Sequence, residues 1–279
     1  MKTGIVKFAA GMALLILTGA LLAGCGQTEQ GKNVTKIKIA TSGSPNPFSF
    51  VDEDNVIKGY DVDVIKAVFD RLPQYETEIE VADFPSIFAG LDSDKYQVGV
   101  NNFSYNDERA DKYIYTKAHF KNSYVIAVAQ DNNEINQFED LLGKSTQVSP
   151  NTTYASSLAE YNEAHSDNPV DVSYSEEDLV YILQNVAEGQ YDFQLIDEPM
   201  FNVYMNEFDL KLKGVKLTDE EMNLITPPYS YILVGKGNEQ LAEDINAVLK
   251  ELAEDGTIAK ISKEYFLGND YTPYDQYKE

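Results

Sequence analysis

One arginine stands among carboxylates in the segment SYNDERADKYIYT (104–116). Arg109 directly follows Glu108 and lies two residues before Asp111, so it could pair with them on a helix surface, where an exposed ion pair contributes about 0–1 kcal/mol. Adjacent side chains of a helix do not face each other, which leaves Glu108 poorly placed for this pair. A planar guanidinium with paired donors also matches the carboxylate of a bound molecule. The residues alone leave both interpretations open.

A second candidate charge closes the apolar strand pattern YDFQLID (191–197). Asp197 at the end of such a strand is costly to desolvate unless it is paired, and a bound cation would pair it. Because Glu198 and Pro199 open a helical pattern directly afterwards, Asp197 could instead cap that helix. The residue is therefore a candidate cation site with an ordinary structural alternative.

Two threonines, Thr152 and Thr153, begin the helical pattern TTYASSLAEYNEA (152–164). Free backbone N–H groups and a partial positive charge make a helix N-terminus favourable for anions. Capping of the helix by a threonine hydroxyl is compatible with that function. The pair is a candidate anion contact in the second half of the chain.

Composition and failed motifs exclude several classes of function. The 279 residues include 22 Lys and Arg against 46 Asp and Glu, and the net charge of −24 disfavours nucleic acid as a partner. The segment GKS (143–145) is not the end of a phosphate loop, because Phe138 stands where the first glycine belongs. His119 and His165 are far apart, with no histidine or cysteine at metal-ligand spacing. We therefore predict no metal, no cofactor and no enzymatic activity.

The N-terminal segment 1–24 has a positively charged start, an apolar stretch and small residues before Cys25, which predicts a secretory signal. The motif LAGC (22–25) resembles the lipobox of bacterial lipoproteins, and this resemblance implies that Cys25 is lipidated. An unmodified thiol after ordinary cleavage is the alternative. We expect 25–35 to be a flexible tether to the membrane, with the protein outside the cytoplasm on a Gram-positive-type cell surface.

Strand and helix patterns alternate from residue 36 onward, which is typical of an α/β fold. The predicted strands are 36–41, 76–83, 96–103, 122–130, 145–149, 170–174, 191–197 and 227–235, with a hairpin at 51–60. The predicted helices are 61–72, 84–93, 152–164, 175–189 and 198–207, followed by two helices that close the chain. The helix 175–189 is expected to start with a capping box and to stop at a glycine. The restart of the pattern near residue 145 indicates two α/β lobes.

Four segments carry a more specific resemblance: PFSFVDEDNVIKGYDVDV, YNDERADKY, GKSTQVSPNTTY and YDFQLIDEP. Their order and spacing are similar to those of amino-acid-binding subunits of ABC importers, over about residues 36–266. The resemblance implies a two-lobed type II periplasmic-binding-protein fold with two crossover segments and an interlobe cleft. The expected boundaries are 36–126 for the first part of lobe I, 127–225 for lobe II, 226–267 for the return to lobe I, and 268–279 for a C-terminal tail.

The resemblance also implies roles for individual residues. Arg109, with Thr153 and nearby amides, matches the group that receives the ligand carboxylate, and Asp197 with Ser104 matches the group that receives the ammonium. The backbone around Asn102 matches a strand-end contact to the ligand. The remaining matching positions are Phe84, placed against the ligand side chain, and Thr152. Asn151 stands where the family has glycine, and this departure bears on the backbone geometry before Thr152.

The expected function is a monomeric solute-binding lipoprotein that delivers an L-amino acid to an ABC permease with a separate ATPase subunit. The segments RLPQYE (71–76) and EYFLGNDY (264–271) are most similar to cystine-binding members, so cystine or another polar or sulfur-containing amino acid is the predicted ligand. A lipid-anchored sensor or adhesin on the same fold is one alternative. A prephenate- or arogenate-type dehydratase is a remote one.

Overall fold

The computed structural model describes residues 34–278. The predicted signal segment 1–24, Cys25 and nearly all of the predicted tether lie outside the described residues. Within the described part of the chain, no helix combines the length and apolar character that a membrane span requires.

Short strands and helices alternate along the described residues. The strands are β1 (Thr35–Thr41), β2 (Phe50–Val51), β3 (Ile57–Lys58), β4 (Tyr75–Val81), β5 (Val98–Ser104), β6 (Tyr113–Tyr115), β7 (Phe120–Lys121), β8 (Tyr124–Ala129), β9 (Ser145–Val148), β10 (Asp171–Tyr174), β11 (Phe193–Asp197), β12 (Leu212–Lys216) and β13 (Tyr229–Gly235). The helices are α1 (Tyr60–Phe69), α2 (Phe84–Asp92), α3 (Asp107–Lys112), α4 (Thr153–Ala164), α5 (Leu179–Ala187), α6 (Glu198–Glu207), α7 (Asp219–Met222), α8 (Glu239–Glu254) and α9 (Thr257–Tyr265).

The first sheet contains strands from both ends of the described chain, in the order β4-β1-β5-β13-β6, with β7 also paired to β13. β1 runs parallel to β4 and β5, whereas β13 runs antiparallel to β5, β6 and β7. Successive residues of a strand face opposite sides of a sheet. Accordingly Ile39 joins the apolar cluster with α1 and α8, and Ala40 joins the cluster with α2. This sheet and its helices form the first lobe.

The second sheet has the order β10-β9-β11-β8-β12. β9 is parallel to β10 and β11, and β8 is antiparallel to β11 and β12. Helix α5 buries Ile182, Leu183 and Val186, and α6 packs against the β8, β11 and β12 strands, so the sheet is covered by amphipathic helices. This sheet and its helices form the second lobe.

The chain passes between the sheets twice. It leaves the first sheet after Lys121 and enters the second at Tyr124, and it leaves the second after Lys216 and re-enters the first at Tyr229. Two sheets joined by two connections confirm the predicted α/β class and its two lobes. The boundaries predicted at 126/127, 225/226 and 267/268 stay predictions.

The predicted capping-box start of helix 175–189 is wrong. Helix α5 begins at Leu179, and Asp178 occupies the N-cap position without a side-chain hydrogen bond to the helix. Ser175 instead accepts a bond from the backbone N–H of Glu177 at 3.1 Å. This local bond gives the backbone an alternative to the helix. The glycine stop is present, since Gly189 has a positive φ of 73° just beyond α5.

Candidate functional site

Asp197 ends β11 and keeps 3% of its surface exposed. Its carboxylate accepts hydrogen bonds from the Tyr154 hydroxyl and, at 2.6 Å, from Asn102 Nδ2 of the first lobe. Burial raises the pKa of Asp197 above its ordinary value, while the bonds from Tyr154 and Asn102 oppose that rise. Asp197 occupies the N-cap position of α6 without a side-chain capping bond. Among the described residues, no Lys, Arg or His forms an ion pair with it.

Asn102 and Ser104 lie at the end of β5, on the edge of the first lobe that faces Asp197. Asn102 has a positive φ of 47°, a conformation that asparagine tolerates better than most residues. Its backbone N–H donates to Asp61 Oδ2 at 2.5 Å. The carbonyl of Ser104 accepts a bond from the Tyr115 hydroxyl at 3.1 Å. The predicted strand-end position of both residues is therefore observed, although their contact to a ligand stays a prediction.

Arg109 lies on the short helix α3 and is half-buried. Its guanidinium donates from Nη2 to the carbonyl oxygen of Asn151 at 2.7 Å, which links the first lobe to the second. Burial lowers the pKa of Arg109, because the cation loses water contacts. In the part of the chain that the structure describes, Arg109 forms no ion pair, whereas Glu108 pairs with Lys112 at 2.8 Å. The neighbour-pairing interpretation of Arg109 is therefore wrong for Glu108.

Phe84 opens α2 and is half-buried in an aromatic cluster. Its ring contacts Phe88 edge-on at 5.2 Å between centroids and Phe103 at 5.8 Å. The guanidinium of Arg109 lies over these same two rings, at 5.0 Å from the Phe88 centroid and 5.9 Å from that of Phe103. Cation–π contacts of this kind favour a cation at a partly dry position. Phe84 thus packs against the two rings over which Arg109 lies.

Thr152 caps α4, accepting a bond from the backbone N–H of Ala155 at 3.3 Å and donating to the carbonyl of Ser149 at 2.7 Å. Thr153 is the first residue of that helix. Asn151 has a positive φ of 63°, so asparagine supports here a backbone conformation that glycine would also adopt. The carbonyl of Asn151 accepts the bond from Arg109, which brings the threonine pair next to the guanidinium.

Three residues of the site were missed by sequence reasoning. Tyr154 donates to Asp197, Asp61 accepts from the backbone of Asn102, and Ser230 Oγ donates to Asn102 Oδ1 at 2.5 Å. Tyr154 directly follows the threonine pair, so its place beside a helix N-terminus was a usable signal. Asp61 and Ser230 carried none, because 41 and 128 residues separate them from Asn102.

The two histidines have separate local roles. His119 Nε2 contacts Asp61 Oδ1 at 2.7 Å inside the first lobe, and His165 Nδ1 contacts the carbonyl of Tyr161 at 2.8 Å in the second. Within residues 34–278, no group of three or more His, Cys, Asp or Glu side chains is arranged to hold a metal ion.

Comparison with protein families identifies a group to which the chain is similar. The model of the bacterial extracellular solute-binding proteins, family 3, matches residues 37–268. The L-cystine-binding protein TcyJ of Bacillus subtilis is 29% identical, over 94% of this chain and 96% of that protein. A probable amino-acid ABC transporter-binding protein of Haemophilus influenzae is 27% identical, over 94% of this chain and all of that protein.

Solved structures give the same picture. A protein from a study of glutathione import via GshT and the cystine ABC importer TcyBC of Streptococcus mutans is 34% identical, with a TM-score of 0.80, over 87% of this chain and 99% of that one. An ancestral arginine-binding protein bound to arginine is 26% identical, with a TM-score of 0.72, over 84% of this chain and 99% of that one. Both likenesses extend over both lobes.

Proposed function

The chain belongs to the bacterial extracellular solute-binding proteins, family 3, and we propose that it captures an L-α-amino acid between its lobes for an ABC importer. Membership in an extracellular family places the protein outside the cytoplasm. The identity of the ligand as an amino acid is the part of the proposal for which the site residues must supply the support. The relevant feature is the pair of charges that face the cleft from two sides.

The observation that carries the proposal is one half-buried cation and one buried anion, neither of which has an ion-pair partner among the described residues. Arg109 reaches toward the start of α4, and Asp197 faces Asn102 across the cleft. An unpaired buried charge is costly, so a guest that neutralises both groups stabilises the site. An α-amino acid carries the two complementary charges on one carbon atom.

In the proposed complex, Arg109 and Thr153 receive the carboxylate, and Asp197 and Ser104 receive the ammonium. The backbone around Asn102 adds a contact, and Thr152 holds the start of α4 in place. Phe84 bounds the space for the side chain of the amino acid. Because these residues come from both lobes, closed lobes make the full set of contacts, and a ligand shifts the population toward closure.

Cystine is the proposed ligand. Its support is the naming of relatives as L-cystine-binding proteins, added to the similar segments 71–76 and 264–271. Glutathione is a second candidate, because a 34% identical structure comes from a study of glutathione import. The γ-glutamyl end of glutathione carries the same α-carboxylate and α-ammonium as a free amino acid.

A thermal-shift panel tests the ligand. The purified protein is heated with each of the twenty amino acids, L-cystine, reduced glutathione and glutathione disulfide, and calorimetry follows every shift. We expect the largest stabilisation from cystine, since a ligand that binds only the folded state raises the melting temperature by mass action. A shift with a simple amino acid alone would rule out cystine as the ligand. The absence of a shift with every compound would contradict the proposed function.

We also propose that Cys25 carries the lipid anchor and that the protein works with a permease and a separate ATPase. Cys25→Ala in the full-length chain is expected to leave the protein in the culture medium, whereas wild type fractionates with membranes. Equal membrane fractions of the two would contradict the anchor. Genes for a permease and an ATPase beside this one favour transport, and their absence favours the sensor or adhesin alternative.

Binding without conversion is the last part of the proposal. The relatives named above are binding proteins, and the site offers no assigned catalytic acid. Prolonged incubation with cystine or with prephenate should return each compound unchanged by NMR. Turnover of prephenate would contradict binding without conversion and would favour the dehydratase alternative.

A further inference from the structure

A buried carboxylate–imidazole pair lies behind the candidate site, and the proposed function does not use it. Asp61 and His119 are both 0% exposed, and His119 Nε2 contacts Asp61 Oδ1 at 2.7 Å. Tyr60 stacks on the imidazole with 5.7 Å between ring centroids and donates its hydroxyl to the His119 carbonyl. Burial and the contacts of Tyr60 therefore restrict the movement of the imidazole.

The second oxygen of Asp61 faces the site. Asp61 Oδ2 accepts the backbone N–H of Asn102 at 2.5 Å, and Asn102 is the residue with the positive φ of 47°. Because a carboxylate only accepts hydrogen bonds, His119 supplies its N–H to one oxygen and Asn102 to the other. The contact thus fixes the direction in which the Asn102 side chain leaves the backbone.

The amide of Asn102 is fixed at both of its ends. Its Oδ1 accepts the hydroxyl of Ser230 at 2.5 Å, and its Nδ2 donates to Asp197 Oδ2 at 2.6 Å. Ser230 is fully buried in β13 of the first lobe, whereas Asp197 belongs to the second lobe. The amide therefore joins a fixed point of one lobe to the proposed ammonium acceptor of the other.

We propose that the Asn102 side chain is an affinity-setting clamp between the lobes, and that Asp61, backed by His119, is the positioning residue that aims it. The inference rests on the proposed function, because the clamp acts on the closed form that the amino acid selects. Each contact made only in the closed form adds to ligand affinity. The effect is expected for every amino acid that binds, since the clamp contacts Asp197 and not the ligand side chain.

The competing explanation is that Asp61 merely stabilises the first lobe. A double-mutant cycle separates the two, because residues that act through one another are not additive. Asn102→Gly removes the clamp and keeps a backbone that accepts positive φ. Asp61→Ala removes the positioning carboxylate. If Asp61 acts through Asn102, its loss has nothing left to affect once the clamp is gone.

The measurement is the dissociation constant of L-cystine by calorimetry for wild type, both single variants and the double variant. We expect each single variant to weaken binding about three- to tenfold, the range of one lost hydrogen bond. In the Asn102→Gly background, Asp61→Ala is expected to change the constant less than about twofold. An equal loss in both backgrounds, or a single variant that binds as well as wild type, would overturn the inference.

Asp63→Ala is the matched control. Asp63 lies on the same helix and accepts the Tyr265 hydroxyl at 2.5 Å, within the first lobe. Its removal costs a part-buried hydrogen bond and the 3.6 Å ion pair with Lys66 without touching Asn102, so cystine affinity should stay within about twofold of wild type. A loss of affinity equal to that of Asp61→Ala would mean that any damage to α1 lowers affinity. That result would contradict the positioning role of Asp61.

Ser230→Ala keeps the test decisive if Asp61→Ala does not fold. This variant removes only the hydroxyl that holds Asn102 Oδ1, and it is run in the wild-type and Asn102→Gly backgrounds. A loss confined to the wild-type background supports the clamp, and equal losses overturn both the clamp and the role of Asp61. If wild type binds none of the panel compounds, the proposed function fails; if wild type binds and the losses are additive, this inference alone fails.

Discussion

Arg109 has three acidic neighbours within two residues and makes an ion pair with none of them in the described part of the chain. Its helix, α3, is capped by Asn106, whose side chain accepts the backbone N–H of Arg109 at 3.1 Å. The cap sets the helix so that Glu108 pairs outward with Lys112 while the guanidinium lies over Phe88. At the scale of residues, the direction in which a side chain leaves its helix decides its ion-pair partner more than the distance along the sequence does.

Arg109→Ala is the direct test of the anion site. In the proposed complex, Arg109 pairs with the carboxylate of the ligand. Removing one side of a buried charge pair costs about 2–5 kcal/mol, so the dissociation constant of cystine should rise at least about thirtyfold. The melting temperature without ligand should change little, because the guanidinium is only half-buried. Lys112→Ala, which removes an exposed cation from the same helix, is the control and should bind as wild type. An unchanged constant for Arg109→Ala in calorimetry would contradict the carboxylate assignment.

Asp197 predicts a pH dependence of stability. Burial raises its pKa in the folded protein, so the folded state holds the proton more tightly than the unfolded chain. The contribution of Asp197 to the free energy of unfolding is then fully present below the unfolded value of about 3.9, and it is lost as pH rises through the raised pKa.

Urea unfolding of wild type and Asp197→Asn, without ligand and between about pH 3.5 and 7, measures that contribution. The free energy of wild type should fall relative to the variant as pH rises, because asparagine does not titrate. A difference between the two proteins that is constant with pH would show that the carboxylate has no raised pKa. Asp192→Asn is the control, since its side chain is exposed and bonds to Ser145 at 2.7 Å.

At the scale of elements, periodicity predicted the strands and helices that bury a continuous apolar face. The predicted 36–41, 84–93 and 198–207 correspond to β1, α2 and α6 within one residue at each end. The elements that were missed depend on distant partners. β12 contains Gly214 and two lysines and pairs only along its contact with β8, and β7 has two residues that form a strand because β13 lies beside them.

The same limit applies to the candidate site. The sequence marked Arg109 and Asp197 as candidates, because an ionised group in an apolar or crowded setting is a local anomaly, and the family resemblance supplied their ligand roles. The bonds of Asn102 to Asp61 and Asp197 span 41 and 95 residues, and no pattern along the chain encodes them. The sequence therefore predicted which groups carry charge, and the fold determines which groups orient them.

The start of α1 predicts a strong effect of one glycine. Gly59 has a φ of 127°, and a Cβ there would lie 2.3 Å from the carbonyl oxygen of Phe48. Gly59→Ala should therefore cost backbone strain of about 1–3 kcal/mol plus a further 1–3 kcal/mol for the clash. Gly189→Ala is the matched control, because it has a φ of 73° with nothing within 4 Å.

Urea unfolding compares the two alanine variants. Gly189→Ala should lose about 1 kcal/mol of unfolding free energy, from strain alone. Gly59→Ala should lose clearly more, and because α1 carries Asp61, it should also weaken binding of cystine. Equal losses in the two variants would mean that Phe48 moves aside without cost.

At the scale of the whole molecule, the lobes touch through contacts of different strength. The hydrogen bond between Asn102 and Asp197 is largely buried. Arg109 donates a hydrogen bond to Asn151 while its guanidinium lies over an aromatic ring. A further contact between the lobes, from Asn46 Nδ2 to Glu207 Oε2 at 3.4 Å, is exposed. Exposed polar contacts contribute little because water replaces them. We therefore expect the two inner contacts to couple closure to the bound amino acid.

Small-angle scattering tests this coupling. A compact chain of this length has a radius of gyration of about 19 Å, and we expect saturating cystine to lower the measured value of wild type toward it. Arg109→Ala and Asp197→Asn should not contract at the same cystine concentration, since each lacks one of the two charged groups of the proposed amino-acid site. Glu207→Ala, which removes only the exposed contact, should contract as wild type does. A wild-type radius that saturating cystine leaves unchanged would show that ligand binding and lobe closure are independent, since a ligand shifts an equilibrium only by its differential affinity for the two forms.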